Sequence, residues 1–162
     1  MVRNIPNKYT RTQLILELQQ LAANEIDFLY LPVDFKSWSN LGYCFVNFKS
    51  DLAARQFSDV LMGRKWKRFA SQKRSEICAA DIQGFDELVA HFASSAILKK
   101  EERAQPVVFV EGDGPILMST FLISLQEFPS VSTMGNWQQR SQSMPQRPDA
   151  HVTGSQRPDR VG

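Results

Sequence analysis

Eight consecutive residues, Leu41-Gly42-Tyr43-Cys44-Phe45-Val46-Asn47-Phe48, constrain this chain more than any other stretch. Tyr43, Phe45 and Asn47 alternate with Cys44, Val46 and Phe48, which is the period of a strand with two different faces. The face of Cys44, Val46 and Phe48 is expected to pack on helices. The other face carries two flat rings and an amide, and is expected to stand open to a ligand.

The flanking segments give that strand a setting. Residues 1–5 read as the end of a strand, and Pro6-Asn7-Lys8 as a turn. Thr10-x-x-Gln13 fits a capping box, in which each side chain bonds the other residue's free backbone N–H, and Leu14, Ile15, Leu18 and Leu21 follow at helical spacing. Residues 26–33 are apolar and aromatic, a strand that Pro32 ends or confines to an edge. A polar loop with Lys36 and Trp38 leads into the 41–48 block. Ser50 caps a second helix running to about Met62, with Leu52, Ala53, Phe57, Val60 and Leu61 apolar and Gly63 as the stop. Residues 76–82 read as the last strand and 85–98 as a third helix, with Leu88, Val89, Phe92, Ala96 and Ile97 along one side. Strand, helix, strand, strand, helix, strand, helix is the split βαβ order of ferredoxin-like α+β folds. The expected domain covers 1–97, with the third helix as an addition to that fold. Residues 98–128 form an extension of undecided structure: 106–110 suit a short strand or packing segment, 111–115 a turn, and 116–128 are apolar with no assigned partner. Residues 129–162, rich in Ser, Gln, Pro and Arg, have too little apolar surface to offset ordering entropy and read as a disordered tail. Gln-Arg-Pro-Asp recurs there at 146–149 and 156–159, a compositional bias only.

Composition narrows the chemistry. A net charge of +2 does not by itself indicate a nucleic-acid partner, so a basic surface has to be local. It is present at 64–74, where Arg64, Lys65, Lys67, Arg68, Lys73 and Arg74 occur with no acidic residue, interrupted by Trp66 and Phe69. Two separate cysteines, Cys44 and Cys78, are no disulfide framework; they fit a reducing, intracellular setting (nuclear, cytoplasmic or both) as small buried residues. With only His91 and His151 beside them there is no zinc spacing. No signal peptide is visible, and the apolar run 116–125 is too short for a bilayer, so no membrane role is expected. The chain offers no nucleophile–base pair, metal cluster or phosphate-cradling glycine loop, and is expected to be neither an enzyme nor a cofactor carrier.

Single-stranded RNA presents unstacked bases and a charged backbone, and open sheets bind it with stacking aromatics and nearby basic or amide groups. The 41–48 block resembles the eight-residue motif of RNA-recognition motifs, with Leu41 where a basic residue is usual and Cys44 where Gly or Ala is usual. The companion six-residue motif on the first strand would end at Asn4-Ile5, placing its stacking aromatic at Met1. This reads as a truncated strand or a fragment of a longer chain. Arg3 shares the face of Met1 and is expected beside Tyr43 or Phe45.

A narrower resemblance follows from Val2-Arg3-Asn4-Ile5-Pro6-Asn7-Lys8-Tyr9-Thr10, Asp27-Phe28-Leu29-Tyr30-Leu31-Pro32-Val33-Asp34-Phe35 and the 41–48 block. Together they are similar to the C-terminal RNA-recognition motif of the Mei-two-like proteins, the fission-yeast meiosis inducer and its plant and protist relatives. Residues 63–66, Ile82-Gln83-Gly84 and His91-Phe92 extend the match, which covers about 1–115. The resemblance implies RNA binding in meiosis, development or post-transcriptional control. Asp81 departs from it, since relatives tend to be basic there, and the long N-terminal portion of those proteins is not in this sequence.

The expected ligand is single-stranded RNA, bound by a monomer. Tyr43 and Phe45 stack bases, Arg3 and Asn47 contact backbone or base edges, and Lys65, Lys67, Arg68 and Lys73 supply charge. Two other readings stand beside it. One is a protein-interaction module using Arg64-Lys65-Trp66 or the tail. The other is a degenerate copy with weakened RNA binding. Tyr9 and Trp38 suit either RNA contact or packing, and His91 a helix surface. Phe28 and Tyr30 share a strand face, but which face is not fixed by the sequence. Nor is it fixed whether the third helix covers the sheet or extends the core.

Overall fold

The computed structural model describes residues 1–112 and 114–127. In chain order the elements are β1 (Val2–Arg3), α1 (Arg11–Gln19), β2 (Ile26–Tyr30), β3 (Tyr43–Phe48), α2 (Asp51–Leu61), β4 (Glu76–Ile77), α3 (Phe85–Ala93), two 3-10 turns (Ala96–Lys99 and Glu102–Ala104), β5 (Val107–Val110), β6 (Gly114–Leu117) and α4 (Met118–Glu127). The strands form one sheet in the order β4-β1-β3-β2-β5-β6, antiparallel at each pairing. The first four strands are the ferredoxin-like core expected from the element order, and β5 and β6 widen it.

Local chemistry explains the helix starts and stops. Thr10 and Gln13 form the reciprocal capping box at α1, and the Ser50 hydroxyl accepts from the Ala53 amide at α2. Gly63, at φ 72°, ends α2 in a conformation that other residues reach at a cost. Ala53, Phe57 and Leu61 form the buried stripe of α2, which is too narrow to include Leu52 and Val60; both are exposed.

Several boundaries differ from the sequence reading. β2 stops at Tyr30 and is interior, between β3 and β5, so Pro32 lies beyond the strand and marks no edge. β4 has two residues where seven were expected at 76–82. Val2 and Arg3 of β1 pair with Ile77 and Glu76, and the Cys78 amide donates to the Met1 carbonyl at 3.0 Å. α3 stops at Ala93 and does not run to 98, because the Ser95 hydroxyl accepts from the Ile97 amide and starts a 3-10 turn in its place.

Both faces of the sheet carry apolar layers. On one, α1 and α2 pack with Ile5, Tyr9, Leu14, Leu18, Leu29, Cys44, Phe57, Leu61 and Trp66. On the other, Phe28, Leu88, Phe92, Val108, Met118 and Phe121 form a second core. A register shift between Ile26 and Phe28 resets the alternation of β2. Ile26 and Leu29 therefore both join the first layer while Phe28 joins the second. The segment 98–128 is integral to the sheet over its described residues, since β5 pairs with β2 and α4 closes the second core. The tail read at 129–162 lies outside the described residues.

Candidate nucleic-acid interface

The second face is only half covered. α3 and α4 lie over β2, β5 and β6; the core they close reaches Phe45 of β3 and takes in no residue of β1 or β4. Tyr43 and Phe45, two residues apart, share this face, with ring centroids 5.8 Å apart and nearly perpendicular at 88°. Arg3 pairs directly with Tyr43, and cross-strand partners stand side by side on one face. Tyr30 pairs with Phe45, and their rings lie almost parallel at 6.3 Å. Phe92 of α3 then closes the row, edge-on to Tyr30 at 5.1 Å and against Phe28 at 5.5 Å. Tyr43, Phe45 and Tyr30 are half-buried, Arg3 is exposed, and Phe92 is buried. Burial first, and the electrostatic interaction with the neighbouring Tyr43 second, push the Tyr30 phenol above its usual pKa, so it stays a neutral hydrogen-bonding group. The result is a strip of three partly open rings with a guanidinium at one end and an aromatic wall at the other.

The other residues singled out in the sequence are placed differently. The Asn47 amide donates to Asp27 Oδ1 at 2.9 Å, beside the irregularity in β2. Lys65 is exposed, and its backbone forms an isolated antiparallel β-bridge with that of Arg74. Lys73 Nζ donates to the Ile5 carbonyl at 3.1 Å and Asn7 Oδ1 at 2.8 Å, so its charge already tethers the loop. The Lys67 amide donates to Glu17 Oε1 of α1 at 3.0 Å, and the Arg68 amide to the Tyr9 hydroxyl at 3.0 Å. The structure thus brings Arg3, Tyr43 and Phe45 together, and anchors the backbone of Lys67 and Arg68 to the helical layer while both residues stay exposed.

Trp66 explains that anchoring and counts against docking of a peptide on its ring. It is 4% exposed, its indole N–H donates to the Asn4 carbonyl at 2.9 Å, and its ring packs on Tyr9 at 5.5 Å. A peptide-docking aromatic has to be accessible, and Trp66 is a core residue. Tyr9 likewise packs down: its hydroxyl donates to Glu17 and accepts from Arg68. Burial first, and the Glu17 hydrogen bond second, push its pKa up from 10.0 to about 12. The folded state therefore favours the neutral phenol more than the unfolded chain does. This contribution to stability is complete below about pH 10 and is lost as pH rises towards about 12. Urea denaturation across that range is expected to show the decline, and Tyr9→Phe to reduce its slope; an unchanged slope in the variant would remove Tyr9 as its source.

Sequence reasoning missed Tyr30 as part of the strip, since the shift at Asp27 that orients Phe28 and Tyr30 leaves no pattern in composition. It also missed the cations over the 31–42 loop: Arg103 Cζ lies 3.3 Å from the Trp38 ring centroid, and Lys100 Nζ 5.7 Å from that of Phe35. Burial pushes the Cys44 thiol up to about 12, in keeping with a packing role. Among the described residues, no helix is long and apolar enough to cross a membrane.

Comparisons with known proteins identify the family. The family model described as RNA recognition motif 2 matches residues 1–93. Protein MEI2-like 3 of Arabidopsis thaliana is 41% identical over 109 residues, which is 67% of this chain and 14% of that protein. Protein MEI2-like 4 of Oryza sativa subsp. japonica is 38% identical over 115 residues, 71% of this chain and 11% of that protein. The chain therefore spans a small part of the length of these relatives. Among solved structures, the Rna15 RRM with bound RNA (GU) aligns with a TM-score of 0.45 at 13% identity, over 58% of this chain and 94% of that one. With the family model covering more than half of its residues, and MEI2-like relatives matching over two thirds of it, this chain belongs to the RNA recognition motif 2 family.

Proposed function

We propose that this chain binds single-stranded RNA on the open half of its sheet, as a monomeric binding module and not an enzyme, in post-transcriptional control inside the cell (nucleus, cytoplasm or both). The observation that carries the reading is the row in which Arg3 stands opposite Tyr43 and Phe45 lies parallel to Tyr30. Bases stack on Tyr43 and Phe45, and Tyr30 extends the platform up to the wall made by Phe92. Arg3 pairs with a phosphate, and Lys65 adds charge beside the β1 end. The family membership and the MEI2-like relatives support the same reading.

Titration of a labelled single-stranded RNA pool tests it. Saturable binding that weakens with salt is expected. Arg3→Ala weakens binding evenly across sequences and lowers the slope of log K against log salt by about 0.7. A folded chain that binds none of the pool would instead be a degenerate copy, as would be consistent with Leu41 and Asp81 at positions usually basic.

A further inference from the structure

Asn47 follows Tyr43 and Phe45 along β3, two residues beyond the second ring, and is half-buried. It stands opposite Phe28 of β2, and β1, which pairs with Tyr43 and Cys44, does not reach it. The β2–β3 pairing sets Ile26 against Phe48 and Phe28 against Asn47, leaving Asp27 as the extra residue between them. Asp27 is 2% exposed, and its Oδ1 accepts from Asn47 Nδ2 at 2.9 Å. The same Nδ2 donates to the Phe48 carbonyl at 3.3 Å.

These two contacts fix which way the amide faces. A side-chain amide carries two N–H donors on its nitrogen and acceptor sites on its oxygen. Both neighbouring acceptors lie on the nitrogen side, and an amide turned over would set its oxygen against them. The two donors are therefore engaged, and Oδ1 is the group that remains. It accepts no hydrogen bond among the described residues. No buried side-chain polar atom among those residues lacks a partner, so this oxygen reaches solvent. Beyond the rings of Tyr43 and Phe45, β3 thus offers a hydrogen-bond acceptor of fixed orientation.

We propose that Asn47, oriented by Asp27, selects the base stacked on Phe45: adenine or cytosine, which present an exocyclic amino group, over guanine or uracil, which present a carbonyl oxygen in the same place. Two residues of an antiparallel strand span roughly 7 Å, so the edge of a base lying on the Phe45 ring comes within reach of the Asn47 amide. An amino group donates to Oδ1. A carbonyl oxygen meets a second acceptor, and the held amide does not turn over to donate to it. Asn47 contacts the base, and Asp27 is a positioning residue that acts through it. The proposal rests on the sheet binding RNA, and names the base class that this site prefers.

The test titrates the full chain with oligocytidylate and oligouridylate of about ten nucleotides, a length such surfaces span. These pyrimidines are alike in size, and one carries an amino group where the other carries a carbonyl oxygen. Wild type is expected to bind the cytidylate about fivefold tighter, the effect of one net hydrogen bond. Asn47→Ala is expected to abolish that ratio. Asp27→Asn, which frees the Asn47 amide to rotate, is expected to abolish it too while both RNAs still bind. A loss of stability alone would lower both affinities together and leave the ratio in place. Unfolding curves verify that the variants fold, and Asn47→Ala decides the matter if Asp27→Asn does not. Equal affinities in wild type, a preference for the uridylate, or the wild-type ratio retained in folded Asn47→Ala overturns the selection. Tyr43→Ala run in parallel separates the two readings. If it weakens binding of both RNAs and Asn47→Ala leaves the ratio unchanged, only the base selection fails; if folded wild type binds neither RNA, the sheet reading fails and the selection with it.

Discussion

Trp66→Ala is expected to destabilise the domain by about 3–5 kcal/mol, the usual cost of emptying a buried aromatic site. Trp66 is 4% exposed and joins three parts of the fold: its indole bonds the end of β1 through Asn4, its ring packs on Tyr9, and Tyr9 in turn meets Phe69 edge-on at 4.9 Å. Alanine would leave a cavity there and an unpaired Asn4 carbonyl. Against a total stability of about 5–15 kcal/mol for a domain of this kind, the loss is large. Trp66→Phe, which keeps a ring and removes the N–H, is expected to cost less, about 1–3 kcal/mol. Urea denaturation of the full chain measures both. The folded fraction of either variant should bind RNA like wild type, since Trp66 belongs to the helical layer. Full stability in Trp66→Ala together with loss of a protein partner would contradict this placement and return Trp66 to a docking role.

What the sequence revealed, and what it hid, follows the range of the interactions. The cap at Thr10 and Gln13, the cap at Ser50 and the stop at Gly63 are contacts within a few residues, and were legible. So was the alternation of β3, which places Tyr43 and Phe45 on one face, and the position of Arg3 beside it. The second core was not. The 107–110 run is strand-like, but its pairing with β2 and its cover by Met118 and Phe121 depend on contacts far apart in the chain. The register shift beside Asp27 reverses a face without changing composition, so Tyr30 could not be assigned to the ring strip. In the 64–74 run the charges are plain in the sequence, whereas the burial of Trp66 and the bonds from the Lys67 and Arg68 amides and the Lys73 ammonium to Glu17, Tyr9, Ile5 and Asn7 are tertiary contacts that it does not show.

The second large effect is expected from Tyr43→Ala/Phe45→Ala. Base–aromatic stacking is worth roughly 1–3 kcal/mol per base, so losing two platforms should weaken RNA binding at least about tenfold. Both rings are half-buried on the open side of β3, while Cys44 and Val46 on the opposite side keep their place in the first core. The variant is therefore expected to fold. Its remaining affinity should stay salt-dependent, because Arg3 and Lys65 are untouched. Fluorescence anisotropy of a labelled single-stranded RNA pool, for wild type and the double variant at two salt concentrations, is the most direct test. The sheet-face site predicts salt-sensitive binding by wild type and at least about a tenfold loss in a folded double variant; a folded double variant that binds as tightly as wild type would contradict it.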